Sequence, residues 1–221
     1  MKTKAIFFDL FETLITEFSD GRRISNRSYN YMELLGLAAE EFKKEWGSRQ
    51  QKRMTGFFSD YPAVLKDILE NRNLKYYDEA VQYLYQERIQ EKMIPFVNIR
   101  SDIIELLENL RNNNIKIGLI SNCTEEEVRY WHGSMLAQYF DKIIFSYEVG
   151  IAKPDVKIYQ LACEGLSVTP EETIFVGDGG SNELDGANSA GLRVYHAIWF
   201  NTYVESNYKK IDKPKEIIKE I

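Results

Sequence analysis

The chain reads as an α/β protein, a parallel sheet with helices on both faces and an all-helical insertion after its first strand. Two observations predict this. Short apolar runs, beginning with Ala5-Ile6-Phe7-Phe8 and recurring at 115–120, 142–145, 173–177 and 193–198, alternate with single segments of helical spacing. Unbroken apolar runs suit strands buried on both faces, and single-helix crossovers join parallel neighbours. Between residues 16 and 94 the alternation stops and only helical spacing remains. The expected division is therefore a sheet-bearing domain of residues 1–15 and 95–221, with residues 16–94 as the inserted helical domain.

The elements follow in order. Within the insertion, Tyr31, Leu34, Leu35 and Ala38 form one stripe. Val64, Leu65, Ile68 and Leu69 form another after Tyr61-Pro62, a good helix start. Ala80, Val81, Leu84, Tyr85, Arg88 and Ile89 form a third. About four helices are expected, separated by turn signals at Ser19-Asp20-Gly21, Gly47-Ser48, Gly56 and Asn71-Arg72-Asn73. After Pro95, a helix from Ser101 carries Ile103, Ile104, Leu106, Leu107 and Leu110, and Asn112-Asn113-Asn114 ends it. The strand at 115–120 runs into Ser121-Asn122, and Thr124 with Glu127 has the spacing of a capping box. Lys153-Pro154-Asp155 opens a helix bearing Ile158 and Tyr159. The strand at 173–177 ends on Asp178, and Gly191 caps the helix that follows. A short helix is expected from Lys213 to Ile221.

With 221 residues the chain can bury a full core. Its net charge of −6 argues against nucleic acid and anionic membranes as partners, but not against a small anionic substrate. Two cysteines, Cys123 and Cys163, make no disulfide framework, so a reducing cytoplasm is the expected location. The apolar stretch near the N-terminus is too short for a signal-peptide core or a membrane span.

Asp9, Ser121-Asn122, Lys153 and Asp178 each stand at or just past a strand end. In a parallel sheet these ends share one edge, where ligands bind. Asp9 by itself reads equally well as a reactive group and as a turn cap. Four polar sites converging from distant segments are hard to explain as four separate caps. Asp9 and Asp178 facing each other call for a divalent cation, and carboxylate oxygens suit Mg²⁺. Glu183 can reach the same ion. Lys153 supplies a positive charge for Asp9 and for a substrate oxyanion. Ser121 offers a hydroxyl, and Thr13 another. A carboxylate held by a metal and a cation can act as a nucleophile and form an acyl phosphate.

Four motifs in order carry a resemblance: Asp9-Leu10-Phe11-Glu12-Thr13, Ser121-Asn122, Lys153-Pro154-Asp155, and Gly177-Asp178-Gly179-Gly180-Ser181-Asn182-Glu183-Leu184-Asp185-Gly186-Ala187. Together they resemble the haloacid dehalogenase-like (HAD) hydrolase superfamily. The resemblance implies a Rossmann-like three-layer core with a C1-type helical cap. It makes Asp9 the nucleophile, Ser121 the phosphate-binding hydroxyl and Lys153 the lysine that steadies both. Asn122 joins Ser121 and Lys153 as substrate-binding, and Thr13 joins the catalytic set. Asp178, Glu183, Asp9 and the Phe11 carbonyl would hold Mg²⁺. The implied partner is a small phosphorylated metabolite, and the implied assembly a monomer or homodimer.

One position departs from the family's phosphatases. They carry a second Asp two residues after the nucleophile, as acid and base. Here Phe11 stands there, as an aromatic does in the 2-haloacid dehalogenases, and Glu12 is the nearest substitute. Asn122 and Tyr159 also match the dehalogenases, whereas Asp178 and Glu183 favour a metal-dependent phosphatase. A phosphonate hydrolase would need a cap lysine, with Lys43, Lys44 and Lys52 as candidates by location. A protein that binds phosphate without turning it over is the remaining alternative. Arg22, Arg23 and Arg27 follow the first motif and either meet an anion or form a solvated face. His132, His196, Cys123, Trp46, Trp131 and Trp199 read as structural.

Overall fold

A computed structural model describes residues 2–25 and 28–221. The chain begins with β1 (Ala5–Phe8) and a hairpin of β2 (Phe18–Ser19) and β3 (Arg22–Arg23). Five helices follow: α1 (Tyr31–Leu35), α2 (Ala39–Ser48), α3 (Gln50–Met54), α4 (Tyr61–Asn71) and α5 (Asp78–Val97). Next come α6 (Ser101–Asn112), β4 (Lys116–Ser121), α7 (Glu125–Val128), β5 (Lys142–Phe145), α8 (Ser146–Val149) and α9 (Val156–Leu166). The chain closes with β6 (Thr173–Gly177), α10 (Glu183–Ser189), β7 (Arg193–Ala197), β8 (Lys209–Ile211) and a 3-10 helix at Pro214–Glu220.

Six strands form one parallel sheet in the order β5-β4-β1-β6-β7-β8, the Rossmann-like α/β architecture expected. β1 lies inside it, pairing Phe8 with Leu119 on one side and Val176 on the other. All its residues are buried, as the unbroken apolar run required. Ile6 and Phe8 face a layer containing Ile103, Leu106, Leu107 and Leu110 of α6. Ala5 and Phe7 face Ile158, Tyr159 and Ala162 of α9 with Leu184 and Ala187 of α10. From β1 the chain builds β4 and β5 on one side and then crosses to β6, β7 and β8 on the other, so the carboxyl end of β1 lies at the sheet's switch point.

The helical stretch has its own core, including Leu35, Phe42, Tyr61, Leu65, Ile68, Val81 and Leu84. Four details differ from expectation. Phe18–Arg23 is a β-hairpin; its strands are too short to show alternation, but Asp20 (φ 50) and Gly21 (φ 73) supply the two positive-φ positions of a tight hairpin turn. Five helices replace four, because the chain turns at Arg49 (φ −98, ψ 6) between α2 and α3. The boundary expected at residue 95 falls inside the last turn of α5, where Pro95 forfeits its own donor in the helix's final stretch. A sixth strand, β8, forms where none is expected: it is a three-residue edge strand with two lysines and one buried anchor, Ile211.

Candidate active site

Asp9 is the first residue past β1, and its backbone N–H donates to Val176 O at 2.9 Å. The chain then winds tightly, with Leu14 and Ile15 N–H both bonding Leu10 O. Trp199 Nε1 donates to Thr13 O at 2.8 Å and pins this loop. Glu12 has φ 59, and the turn carries its carboxylate to the Thr16 hydroxyl (2.6 Å) and the Glu17 N–H (2.9 Å). Glu12 thus caps the entry to the hairpin.

Lys153 reaches Asp9 from the loop before α9. Its ammonium pairs with Asp9 Oδ1 and with Glu183 Oε2, all three groups being buried. Asn122 fixes that loop: its amide accepts from Lys153 N–H (2.8 Å) and donates to Lys153 O (2.9 Å). Both ends of the Asn122 side chain are thereby committed to backbone rather than presented to a substrate. Tyr159 donates to Glu183 O at 2.7 Å, which ties α9 to the start of α10.

Asp178 follows β6. Its Oδ1 accepts from Gly180 N–H and its Oδ2 from Asn201 Nδ2, both at 2.9 Å. Beneath it, buried His196 meets Asp178 O through Nε2 at 2.9 Å and the Ser206 hydroxyl through Nδ1 at 2.9 Å. A carbonyl only accepts, so the neutral ring carries its proton on Nε2 and accepts from Ser206. Burial lowers the His196 pKa, which favours that neutral ring. Glu183 Oε1 also accepts from Gly179 N–H at 3.1 Å.

Gly177 leaves the room Glu183 occupies. A Cβ there would sit 2.7 Å from Glu183 Cδ and 2.9 Å from the Phe175 ring. Because Lys153 and Gly179 hold Glu183, it cannot retreat. Gly177→Ala is expected to cost about 1–3 kcal/mol or more by overpacking, read as a lower denaturation midpoint.

Oxygens of Asp9, Asp178 and Glu183 lie within 4.8 Å of one another. Burial and Asp178 push the Asp9 carboxyl up, and Lys153 opposes them. Burial, with Asp9 next, pushes Glu183 up to about 8 against the pull of Lys153. Burial works against the Lys153 charge, but Asp9 and Glu183 outweigh it and hold the ammonium above its ordinary range. One lysine therefore stands against three crowded acids, an excess of negative charge that a divalent cation would relieve. The donors are all oxygens, which fits Mg²⁺. No backbone N–H of the described residues donates to the Phe11 carbonyl, which leaves it available to the same ion. Two hydroxyls, Thr13 Oγ1 and Ser121 Oγ, are fully buried without a partner. Buried polar groups in that condition are open to a bound group or an ordered water.

Some expected residues lie elsewhere. Lys43, Lys44 and Lys52 are exposed, and Arg23 pairs with Glu17 at 2.7 Å. Arg27 lies outside the described residues. From the helical layer it is Lys92 of α5 that approaches the first motif, 5.0 Å from the Phe11 ring centroid, paired with Glu17 (2.8 Å) and Glu127 (3.0 Å). Lys92, Asn201 and His196 carry no spacing that links them to the strand-end motifs, so the sequence does not mark them as site residues. Cys123 is buried, and burial pushes its thiol well up, so it is an inert packing group.

Residues 3–191 match the family model described as haloacid dehalogenase-like hydrolase. The chain belongs to this family. This HAD-like hydrolase is 25% identical over 230 residues to a glyceraldehyde 3-phosphate phosphatase of Methanopyrus kandleri, covering 97% of this chain and 95% of that one. It is 26% identical over 201 residues to a phosphorylated carbohydrates phosphatase of Thermotoga maritima, covering 85% and 88%. Among solved structures, a 2-haloacid dehalogenase from Pseudomonas syringae superposes with a TM-score of 0.70 at 20% identity, covering 98% and 97%. That likeness is one of fold; the two sequence relatives just named are phosphatases by description.

Proposed function

We propose that this HAD-like hydrolase is a magnesium-dependent phosphatase acting on a small phosphorylated metabolite through an aspartyl-phosphate. The observation that best supports this reading is the meeting of Asp9 and Lys153 beside an all-oxygen acid cluster, with two buried, partnerless hydroxyls on the adjoining loops. Bound Mg²⁺, held by Asp9, Asp178 and the Phe11 carbonyl, would offset negative charge on the phosphoryl oxygens. Lys153 orients the nucleophile and holds a positive charge against the same oxygens. Ser121 and Thr13 donate to the phosphoryl group. Asn122 positions Lys153, and Glu183 anchors it from the other side.

In the first step an Asp9 carboxylate oxygen forms a bond to phosphorus, and the bond to the leaving oxygen breaks, its electron pair departing with that oxygen. In the second, water attacks the same phosphorus, releasing inorganic phosphate and restoring the carboxylate. Neither Phe11 nor the tethered Glu12 protonates the leaving oxygen. Rates should therefore depend steeply on leaving-group pKa. Aryl and acyl phosphates are expected to turn over at least about 100-fold faster than alkyl phosphates, the size of a typical general-acid contribution. Phosphate release from p-nitrophenyl phosphate and an alkyl panel, with Mg²⁺ or with EDTA, tests both claims. Activity that survives EDTA, or a flat leaving-group profile, contradicts them. The aromatic Phe11 gives a dehalogenase reading its specific support, so chloride release from 2-chloropropionate in EDTA belongs in the same panel.

A further inference from the structure

The segment between β7 and β8 touches the loops that follow both β1 and β6. Trp199 Nε1 donates to Thr13 O at 2.8 Å, on the loop of Asp9. Asn201 Nδ2 donates to Asp178 Oδ2 at 2.9 Å. The Ser206 hydroxyl donates to His196 Nδ1, and His196 Nε2 donates to Asp178 O, each at 2.9 Å. Val204 packs so closely over Gly179 that a Cβ there would stand 2.8 Å from Val204 Cγ1. This segment therefore grips Asp178 at its side chain and, through His196, at its backbone.

Asn201 is the member that meets the acid cluster directly, and it is 3% exposed. Its Oδ1 accepts from Tyr203 N–H at 3.1 Å. An N–H only donates, so the amide nitrogen is the end that faces Asp178. Lys153 pairs with Asp9 and Glu183; among the described residues it forms no pair with Asp178. Gly180 N–H and Asn201 are the donors that hold the Asp178 carboxylate, one on each oxygen, both at 2.9 Å. Each oxygen keeps a further lone pair for an ion. Gly180 belongs to the same turn as Asp178 and moves with it. Asn201 comes from the loop after another strand and fixes the carboxylate from outside.

Oxygens of Asp9, Asp178 and Glu183 stand within 4.8 Å of one another. Like charges at that range repel, and an aspartate turns easily about its last bond. Without an outside donor, Asp178 would swing away from the other two acids until an ion drew it back.

We propose that Asn201 is the positioning residue of Asp178, holding its carboxylate toward Asp9 and Glu183 so that the Mg²⁺ site is formed before the ion arrives. The inference rests on the magnesium-dependent reading and adds a residue to its site. Asn201 touches neither substrate nor ion; it acts through Asp178.

Asn201→Leu keeps the volume and removes the donor. Calorimetric titration of the apo protein with Mg²⁺ should give a Kd about 10- to 100-fold higher than wild type at unchanged stoichiometry, the usual effect of losing a partner behind a metal ligand. Asn201→Ala repeats the comparison should the leucine variant not fold. Asn201→Gln still carries an amide and should retain part of the affinity. Tyr203→Ala keeps the N–H that Asn201 needs and removes only an exposed ring, so it should bind Mg²⁺ like wild type. Melts in EDTA and at one fixed Mg²⁺ concentration separate positioning from packing. The rise in Tm that a ligand causes follows its Kd. That rise should be smaller in Asn201→Leu than in wild type, whatever the Tm in EDTA. In p-nitrophenyl phosphate turnover, the Mg²⁺ concentration for half activity should rise by the same factor, with KM for the ester at saturating Mg²⁺ near its wild-type value.

An unchanged Mg²⁺ Kd in the leucine and alanine variants, or a loss confined to the Tm in EDTA, overturns the positioning role, while Mg²⁺-dependent turnover by wild type leaves the phosphatase reading standing. If wild type takes up no Mg²⁺, the magnesium reading fails and this assignment falls with it.

Discussion

Asp9→Asn is expected to abolish turnover while leaving a folded protein. The amide keeps the shape of the carboxylate but cannot supply the attacking oxygen. Removing the nucleophile of a covalent hydrolase costs on the order of 10⁶ in kcat, so residual activity should vanish beneath background. The accompanying stability change separates this from unfolding. Asp9 sits among Asp178 and Glu183, and its carboxyl is raised by burial and by Asp178 against the pull of Lys153. A carboxyl raised in the folded state penalises folding above its unfolded pKa, where it must ionise in a hostile site. In EDTA at neutral pH, Asp9→Asn should therefore melt no lower than wild type. Measurable phosphate release from the variant, or no covalent phosphoryl adduct on trapped wild type, refutes the assigned role.

Arg88→Ala is expected to be the most destabilising single change in the helical layer. Arg88 on α5 donates to Glu126 (3.0 Å) and Glu127 (2.7 Å) on α7, and all three are buried. Truncating one partner of a buried pair strands the other charge, at about 3–5 kcal/mol. For a chain of this size that is a fall in Tm of roughly 6–20 °C. Its magnitude follows from burial, so added salt should change it little. Glu127→Gln adds a pH signature. Burial alone would raise the Glu127 carboxyl, but Lys92 and Arg88 hold it far below its ordinary value of 4.5. A depressed carboxylate stabilises fully above its unfolded pKa and loses that contribution as pH falls toward the folded one. The gap between wild type and Glu127→Gln should thus be widest near pH 7 and shrink below about pH 4.5 in denaturant melts. A constant gap would mean that Glu127 acts by packing alone.

The parts of the molecule legible in the sequence were those where chemistry and periodicity coincide. Ala5–Phe8 declared a doubly buried strand because no polar residue interrupts it, and Asp9 drew attention by ending it. Lys153 and Asp178 were legible for the same reason: charges at the ends of apolar runs. What stayed hidden depends on tertiary approach. Asn201 lies in a loop after β7 and meets Asp178 only because that loop folds back over the strand ends. Arg88 falls within the apolar stripe of its helix, and the charges that pair with it, Glu126 and Glu127, come from α7, which no spacing in α5 reveals. Asn122 follows Ser121 in the chain, yet its amide turns to the backbone of Lys153, a direction that spacing cannot reveal. β8 carries too little apolar area to announce a strand.

Helix α5 has a mechanical meaning. Val81, Leu84 and Tyr85 belong to the core of the helical layer, whereas Phe96, in the same 20-residue helix, is packed into the core beside the sheet. A helix of that length is a strut of roughly 30 Å. The opposite crossing, residues 16–25, is a hairpin of two-residue strands held by Glu12 through Thr16 and Glu17. The two layers are thus joined unevenly, by a long helix along one edge and a short hairpin along the other. Any widening of the gap above Asp9 would swing like a door, with its hinge at the α5 end and its free side at the hairpin that Glu12 grips.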